Sequence, residues 1–323
     1  MNIKLFSEKI ENYIKSQKSN VHENIIYCFK NEYLKDLLKP TLLQGNPQVD
    51  NYTEIFIEEE NIYHKNSPIF LYGEYIKLSR EMTQTPLKIK GKLKCKRSVS
   101  DFINQIKEHY KSKDVKFIPS GREDIDVKMI GGRPFLLKVV EPTCNLFNDR
   151  ISLHLYDNVK IQNFMQVTKD IKKLILCGEK EENKVYRLFI ASKKEIIFEK
   201  EYKLLQKTPL RVLHRRANLV RKKYIEILET NLCKDLQNDF CYSEDLKKEF
   251  SENILPVDFY YYTVILKASA GTYIKEFVHG DLGRTCPSLS TNDNLCDLLF
   301  LDVLKVEKKI IDSSLIIRKI QIK

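Results

Sequence analysis

The stretch GREDIDVKMIGGRPF, residues 121–135, decides how this sequence is read. It sets Asp124 two residues after Arg122, with Asp126 two residues further on and on the same face of any strand that carries both. An acid held beside a guanidinium stays ionised at neutral pH, which suits a carboxylate meant to attack or stabilise an electron-poor carbon. By itself an Arg-x-Asp triplet is also an ordinary pattern of solvated surface charge. A D-x-D pair could instead hold a metal for phosphoryl transfer, although no third acid at suitable spacing accompanies it. Downstream, β-branched and aromatic runs predict strands at 125–130, 135–140, 185–191, 195–199 and 259–268, and LLFLDV at 298–303 predicts one more. A helix is expected from about Thr272, after an Ala270-Gly271 turn. Gly271 there allows close backbone approach, and Lys275, in the first helical turn, can reach an acid on a neighbouring strand.

Working back toward the N-terminus, residues 6–39 read as two helices, with Phe6, Ile10, Tyr13 and Ile14 and then Val21, Ile25, Phe29, Leu34, Leu37 and Leu38 at helical spacing, ending at Pro40. From 55 to 76 the composition predicts strands broken at 66–68 and at Gly73. Ser98 and Asp101 predict a capped helix start ahead of Phe102, Ile103, Ile106 and Tyr110. Ser79, Thr83 and Pro86 place a domain boundary between about Tyr75 and Pro86, dividing the chain into a small region 1–78 and a main domain 79–323.

The chain has 323 residues, 42% of them hydrophobic, enough for one large core with a smaller one beside it. No apolar run reaches the roughly 18 to 20 residues of a membrane span, and the N-terminus shows no apolar leader, so a soluble, intracellular protein is expected, and separately a monomer. Eight cysteines occur without a C-x-x-C, which makes neither a zinc ribbon nor a disulfide framework legible and points to reduced thiols. A net charge of +11 points to a polyanionic partner. Two clusters carry it. Lys88, Lys90, Lys92, Lys94 and Lys96 alternate, which on one strand would line a single face, whether for nucleic acid or for keeping an edge strand soluble. Between 201 and 223, Lys203, Lys207, Arg211, Arg215, Arg216, Arg221, Lys222 and Lys223 interleave with Leu204, Leu205, Leu210, Val212, Leu213, Leu219 and Val220. That mixture predicts an ordered element that is anchored to a core and presents cations; a solvated basic helix is the plainer alternative.

The segments SGREDIDVKMIGGRPF, QKTPLRVLHRR, AGTYIKEFVHGDLGRT and LFLDV, with SREMTQTP at 79–86, occur in an order and spacing that resemble the archaeal and eukaryotic tRNA pseudouridine synthase family known as number ten, over roughly residues 67–306. The GTYIK segment also resembles the GTYIR-type motif of the bacterial T-loop pseudouridine synthases. The resemblance implies an α+β pseudouridine synthase fold, a mixed and mainly antiparallel sheet flanked by helices, preceded here by a small N-terminal α/β accessory region. It implies a substrate, the T-arm of tRNA, in whose loop uridines 54 and 55 are isomerised, and it implies no cofactor. Carried onto this sequence, the catalytic aspartate falls on Asp124, the active-site tyrosine on Tyr186, the basic partner of the aspartate on Lys275, and apolar walls on Ile274 and Leu301, with Leu299 a near neighbour of the last. Arg122 is expected to fill the place of a flipped base. Arg133, Lys207, Arg211, Arg215, Arg216 and His214 are expected to contact RNA, with His214 as general base a less favoured alternative. Family members carry a longer accessory domain with paired C-x-x-C zinc motifs; here the N-terminal region offers only about 78 residues with Cys28 as its one cysteine, so no zinc site is expected. A tRNA-binding or tRNA-folding protein of the same fold without catalysis is the alternative function. The location is expected to be nuclear or cytoplasmic.

Overall fold

Residues 3–39, 42, 44–46, 48–58, 61–154, 158–214, 216–233 and 258–323 are described by a computed structural model. Helices α1 (Ile3–Ser16) and α2 (Glu32–Leu38) accompany a three-stranded sheet of β1 (Ile25–Phe29), β2 (Thr53–Ile57) and β3 (Ile62–Asn66). Phe6, Ile10, Leu38, Ile55 and Ile57 form its small core. The expectation of two helices over 6–39 is corrected by β1. Ile25 and Phe29 fit a helical spacing, but the run IIYCF is β-branched and aromatic, and it pairs parallel to β2 with Ile25 opposite Thr53.

The remaining elements are β4 (Ile69–Lys77), a short hairpin of β5 (Lys88–Ile89) and β6 (Lys92–Leu93), α3 (Val99–Ile103), α4 (Ile106–His109), β7 (Asp114–Pro119), β8 (Val127–Val140), β9 (Arg150–Ile151), β10 (Val159–Val167), α5 (Ile171–Glu181), β11 (Lys184–Ser192), β12 (Glu201–Lys207), β13 (Val220–Leu232), β14 (Tyr260–Ala268), α6 (Ile274–His279), β15 (Thr285–Cys286), β16 (Cys296–Val306), β17 (Ile316–Lys319) and β18 (Gln321–Ile322). Eleven strands make one sheet in the order β15-β12-β13-β14-β11-β16-β8-β4-β10-β17, with β7 also on β8. Within it, among the described residues, β16 and β8 run parallel and the other pairs run antiparallel. The molecule is thus mixed α and β, dominated by one mainly antiparallel sheet. On one face, Val99, Phe102 and Ile106 from α3 and α4 and Ile274, Phe277 and Val278 from α6 join Leu71, Tyr75, Leu188, Leu301 and Val303 in the main core. On the other, Ile171 and Ile175 of α5 cover Tyr72, Leu136 and Val167.

Strand β4 is buried on both faces, and this moves the expected boundary. It pairs with β8 and β10 at the centre of the large sheet, so the change of sheet falls between Asn66 and Ile69, not at 78–79. Ser79, Thr83 and Pro86 mark the loop that follows β4. Asn66 ties the two regions together, its Nδ2 donating to the carbonyls of Asn20 at 2.9 Å and Pro142 at 2.7 Å. Gly73 does not break β4 as expected. A Cβ there would lie 2.6 Å from Phe135 Cζ and 2.8 Å from Phe164 Cδ2, so the missing side chain is what lets two rings close over the strand.

Three further expectations change. The alternating lysines do not share a strand face, because Lys90 and Gly91 take positive φ at the turn of the β5–β6 hairpin. Residues 195–199 form no strand. In the basic cluster 201–223 the ordered, core-anchored element is present as the β12–β13 hairpin, with Leu204 and Val212 buried, and the one-helix alternative is what falls. The Ser98 capping box is present, with Ser98 N–H donating to Asp101 Oδ2 at 2.8 Å. The described cysteines are free thiols, and Cys241 lies outside the described residues. No helix among the described residues is long and apolar enough to cross a membrane.

Candidate active site

The parallel join of β8 with β16 sets the site. Val127 lies opposite Leu301 and Met129 opposite Val303, so the segment 121–126 enters the sheet beside the apolar middle of β16. One strand further, β11 aligns Tyr186 with Val303 and Leu188 with Leu301.

Two cations from the end of β4 and the loop after it hold the backbone of this segment. Lys77 Nζ donates to the carbonyls of Met82 at 3.1 Å, Asp124 at 3.3 Å and Ile125 at 2.8 Å. Arg80 Nη1 donates to the carbonyls of Asp126 at 3.1 Å and Leu301 at 3.0 Å, while its Nη2 pairs with Asp302 Oδ1 at 2.7 Å. Three consecutive carbonyls, 124 to 126, are therefore bound by two cations, and Arg80 stitches them to β16. Asp302, with a side chain 1% exposed, also takes Arg187 at 2.9 Å. Burial lowers the Lys77 ammonium from its ordinary 10.5 to about 8, against the pull of Glu123 and Asp126.

Glu123 turns inward where Asp124 turns outward. Its carboxylate accepts from Tyr75 Oη at 2.7 Å and from Arg133 Nε at 2.7 Å, and Arg133 Nη1 also donates to Ser120 O at 2.8 Å. Arg133 is 3% exposed, so the expectation that it contacts RNA is corrected: its guanidinium is committed to a buried pair. Strand β8 is buried on both faces, and a cation inside it needs an acid nearby.

Asp124 is 42% exposed in its side chain and faces two cations from distant segments. Lys275 Nζ stands 3.3 Å and Arg211 Nη1 3.5 Å from the same Oδ2. Lys275 also donates to both oxygens of Asp126, at 2.9 and 2.7 Å. Burial pushes the Asp126 carboxyl up, but the hydrogen bond and charge of Lys275 outweigh it and hold it below its ordinary value. Arg211, expected to clamp phosphate, instead spends Nε on Glu276 Oε1 at 2.7 Å, and that glutamate is 1% exposed.

Lys275 sits on α6, whose start is fixed from two sides. Gly271 turns the chain with φ +68°. Gln206 of β12 then brackets Tyr273, donating from Nε2 to its carbonyl at 2.9 Å and accepting its N–H at 3.0 Å. The preceding Ile274 is buried in the main core together with Leu301, and Tyr186 packs against the same core. Leu299 packs on the opposite face with Phe189 and Phe300, because a register shift between Phe189 and Ile190 interrupts the alternation of β16. Burial pushes the Tyr186 phenol up to about 12, with the charge of Arg133 opposing.

The structure thus brings Asp124, Asp126, Lys275 and Arg211 into one ionic cluster beside Ile274 and Leu301. Arg122, Lys207, His214 and Arg216 stand exposed, available to a polyanion. Arg215 lies outside the described residues. Among the described residues no cluster of His, Cys, Asp and Glu has the makings of a metal site. Sequence reasoning missed Lys77, Arg80, Glu123, Glu276 and Asp302. A lysine closing the apolar strand IFLYGEYIK was the one visible hint.

A family model described as "Pus10, C-terminal" matches residues 70–243 and 247–307, from β4 to the end of β16. A human protein named tRNA pseudouridine synthase Pus10 is 35% identical over 257 residues, covering 74% of this chain and 44% of that protein. Its namesake in Xenopus laevis is 33% identical over 271 residues, covering 79% of this chain and 48% of its own. The one in the archaeon Methanosphaera stadtmanae is 32% identical over 311 residues, covering 87% and 68%. This chain therefore spans less than half the length of the two vertebrate relatives. With the match running through every strand that borders the ionic cluster, the chain belongs to the Pus10 family and carries that family's C-terminal region.

Proposed function

We propose that this chain is a tRNA pseudouridine synthase with the pseudouridine synthase fold, isomerising uridine to pseudouridine at position 54, 55 or both in the T-loop. The observation that carries the reading is the half-exposed Asp124 carboxylate, held by Lys275 and Arg211 where β8 meets β16. The reaction breaks the N1–C1′ bond, turns the uracil, joins C5 to C1′ and moves the C5 proton to water while N1 gains one. It is redox-neutral, so acid, base and electrostatic groups suffice.

A carboxylate at an anomeric carbon bonds to or stabilises an oxocarbenium-like sugar, as in retaining glycosidases. In this assignment Asp124 does so, and Lys275 and Arg211 fix its position and balance its charge. Tyr186 offers a ring for the uracil and an oxygen for the C5 proton. Ile274 and Leu301, both nearly inaccessible, keep water from the severed sugar. A stacked loop uridine has to be extruded at a cost of a few kcal/mol. Arg122 takes its place in the stack, while Lys207, His214 and Arg216 with Arg215 hold phosphates.

The test is release of tritium from tRNA transcripts carrying C5-tritiated uridine. Release that disappears when the T-loop uridines are replaced by cytidine supports the assignment and names the position. Release that survives both replacements, or its absence with every tRNA, refutes it.

A further inference from the structure

Arg211 belongs to the same stretch as His214 and Arg216, yet its surroundings differ from theirs. Both of those side chains face solvent. Arg211 stands between two carboxylates, 2.7 Å from Glu276 Oε1 and 3.5 Å from Asp124 Oδ2. Its side chain is 42% exposed as well, but its guanidinium already has two carboxylate partners. Glu276 is nearly inaccessible, and its second oxygen, Oε2, has no partner, so Arg211 is what balances this buried charge. Lys275 and Arg211 converge on one oxygen of Asp124, the lysine from α6 and the arginine from the loop between β12 and β13.

The loop is docked for this. Leu210 N–H donates to Asp281 Oδ2 at 3.1 Å, and Arg284 donates from Nε and Nη2 to the carbonyl of Thr208 at 3.0 and 2.8 Å. Asp281 and Arg284 both lie in the turn after α6. One end of the loop is thus fastened to the α6 region, its middle presents Arg211 to Asp124, and the neighbouring residues His214 and Arg216 are exposed.

We propose that Arg211 is a positioning residue for Asp124 and that it couples the RNA-gripping loop to the catalytic carboxylate. The inference rests on the synthase reading above. Grip and chemistry then share one loop: when RNA holds His214 and Arg216 in place, it also holds the second cation on Asp124. A misplacement of about 1 Å at such a group costs on the order of a hundredfold in rate.

The experiment measures two quantities separately on the whole chain: Kd for tRNA, and the single-turnover rate of tritium release at saturating enzyme. Arg211→Met is expected to slow the saturated reaction by tenfold to a hundredfold, with Kd changed less than about threefold, and Arg211→Lys to recover a substantial part of the rate. The double variant Arg211→Met with Glu276→Gln removes the glutamate charge left alone by the single one; it is expected to fold and to stay slow. Full rate at saturation with weakened Kd in Arg211→Met would make this residue a phosphate clamp and overturn the proposal. Recovery of full rate in the double variant would also overturn it, by tracing the loss to the buried glutamate. A wild-type chain that binds tRNA but releases no tritium overturns the synthase reading and this inference together, whereas an active wild type with an equally active Arg211→Met sinks the inference alone.

Discussion

Replacing Lys77 with methionine removes the ammonium that grips the carbonyls of Met82, Asp124 and Ile125 and keeps the length of the side chain. At pH 7 two effects of opposite sign compete: a buried charge is removed, and three carbonyls lose their donor at about 1–3 kcal/mol each. The dependence on pH separates them. Burial lowers Lys77 from 10.5 to about 8 in the folded chain. Between those values the unfolded chain holds the proton and the folded chain has released it, so stability rises with pH across that window. Below about pH 8 both states are protonated and the contribution is flat. With about 1.36 kcal/mol per unit, wild type should gain about 2 kcal/mol over Lys77→Met between pH 7 and about 9.5, and about 3 kcal/mol at the limit. Titrations of groups that do not couple to Lys77 are common to both chains and cancel in the difference. The assay is urea unfolding followed by circular dichroism at the two pH values, with the slope checked for constancy. A difference between wild type and variant that is the same at both pH values would show that folding does not lower the proton affinity of Lys77, and its burial as a desolvated ammonium would fall.

Other outcomes follow from the same packing and charges. Gly73→Ala puts a methyl into the Phe135 and Phe164 rings and should cost about 1–3 kcal/mol, read as a lower urea midpoint; an unchanged midpoint would mean that the rings move aside freely. Arg133→Met strands the buried Glu123 carboxylate and should cost about 3–5 kcal/mol, with the salt dependence of tRNA binding unaltered in the folded variant; a flattened salt dependence would return Arg133 to the RNA interface. Arg216→Ala should flatten the plot of log affinity against log salt by about one unit, and an unchanged slope would take this residue out of the phosphate grip.

How much of this was legible depended on whether a residue's neighbours lie near it in sequence. The Ser98 capping box is local, and the strand runs at 185–191 and 259–268 announce themselves by composition. The lysine stripe and the break at Gly73 failed because periodicity is blind to a turn at Lys90-Gly91 and to rings arriving from β8 and β10 at Gly73. Ile25 and Phe29 fit a helix until β2 offers a parallel partner. At the site, Asp124 and Lys275 stood out through motifs. Arg133 and Arg211 read only as cations, because Glu123 and Glu276, which claim them, declare their burial in three dimensions alone. Lys77 and Arg80 act on backbone carbonyls, which carry no side-chain signature in the sequence.

The central claim is that Asp124, and not its neighbour on the same lysine, attacks or stabilises the sugar carbon. Tritium release and tRNA binding measured together on Asp124→Asn and Asp126→Asn test it most directly. The account predicts that Asp124→Asn releases nothing while still binding tRNA, and that Asp126→Asn keeps a measurable turnover because Lys275 retains Asp124. Turnover by Asp124→Asn, or an Asp126→Asn variant that binds tRNA and releases nothing, would contradict it.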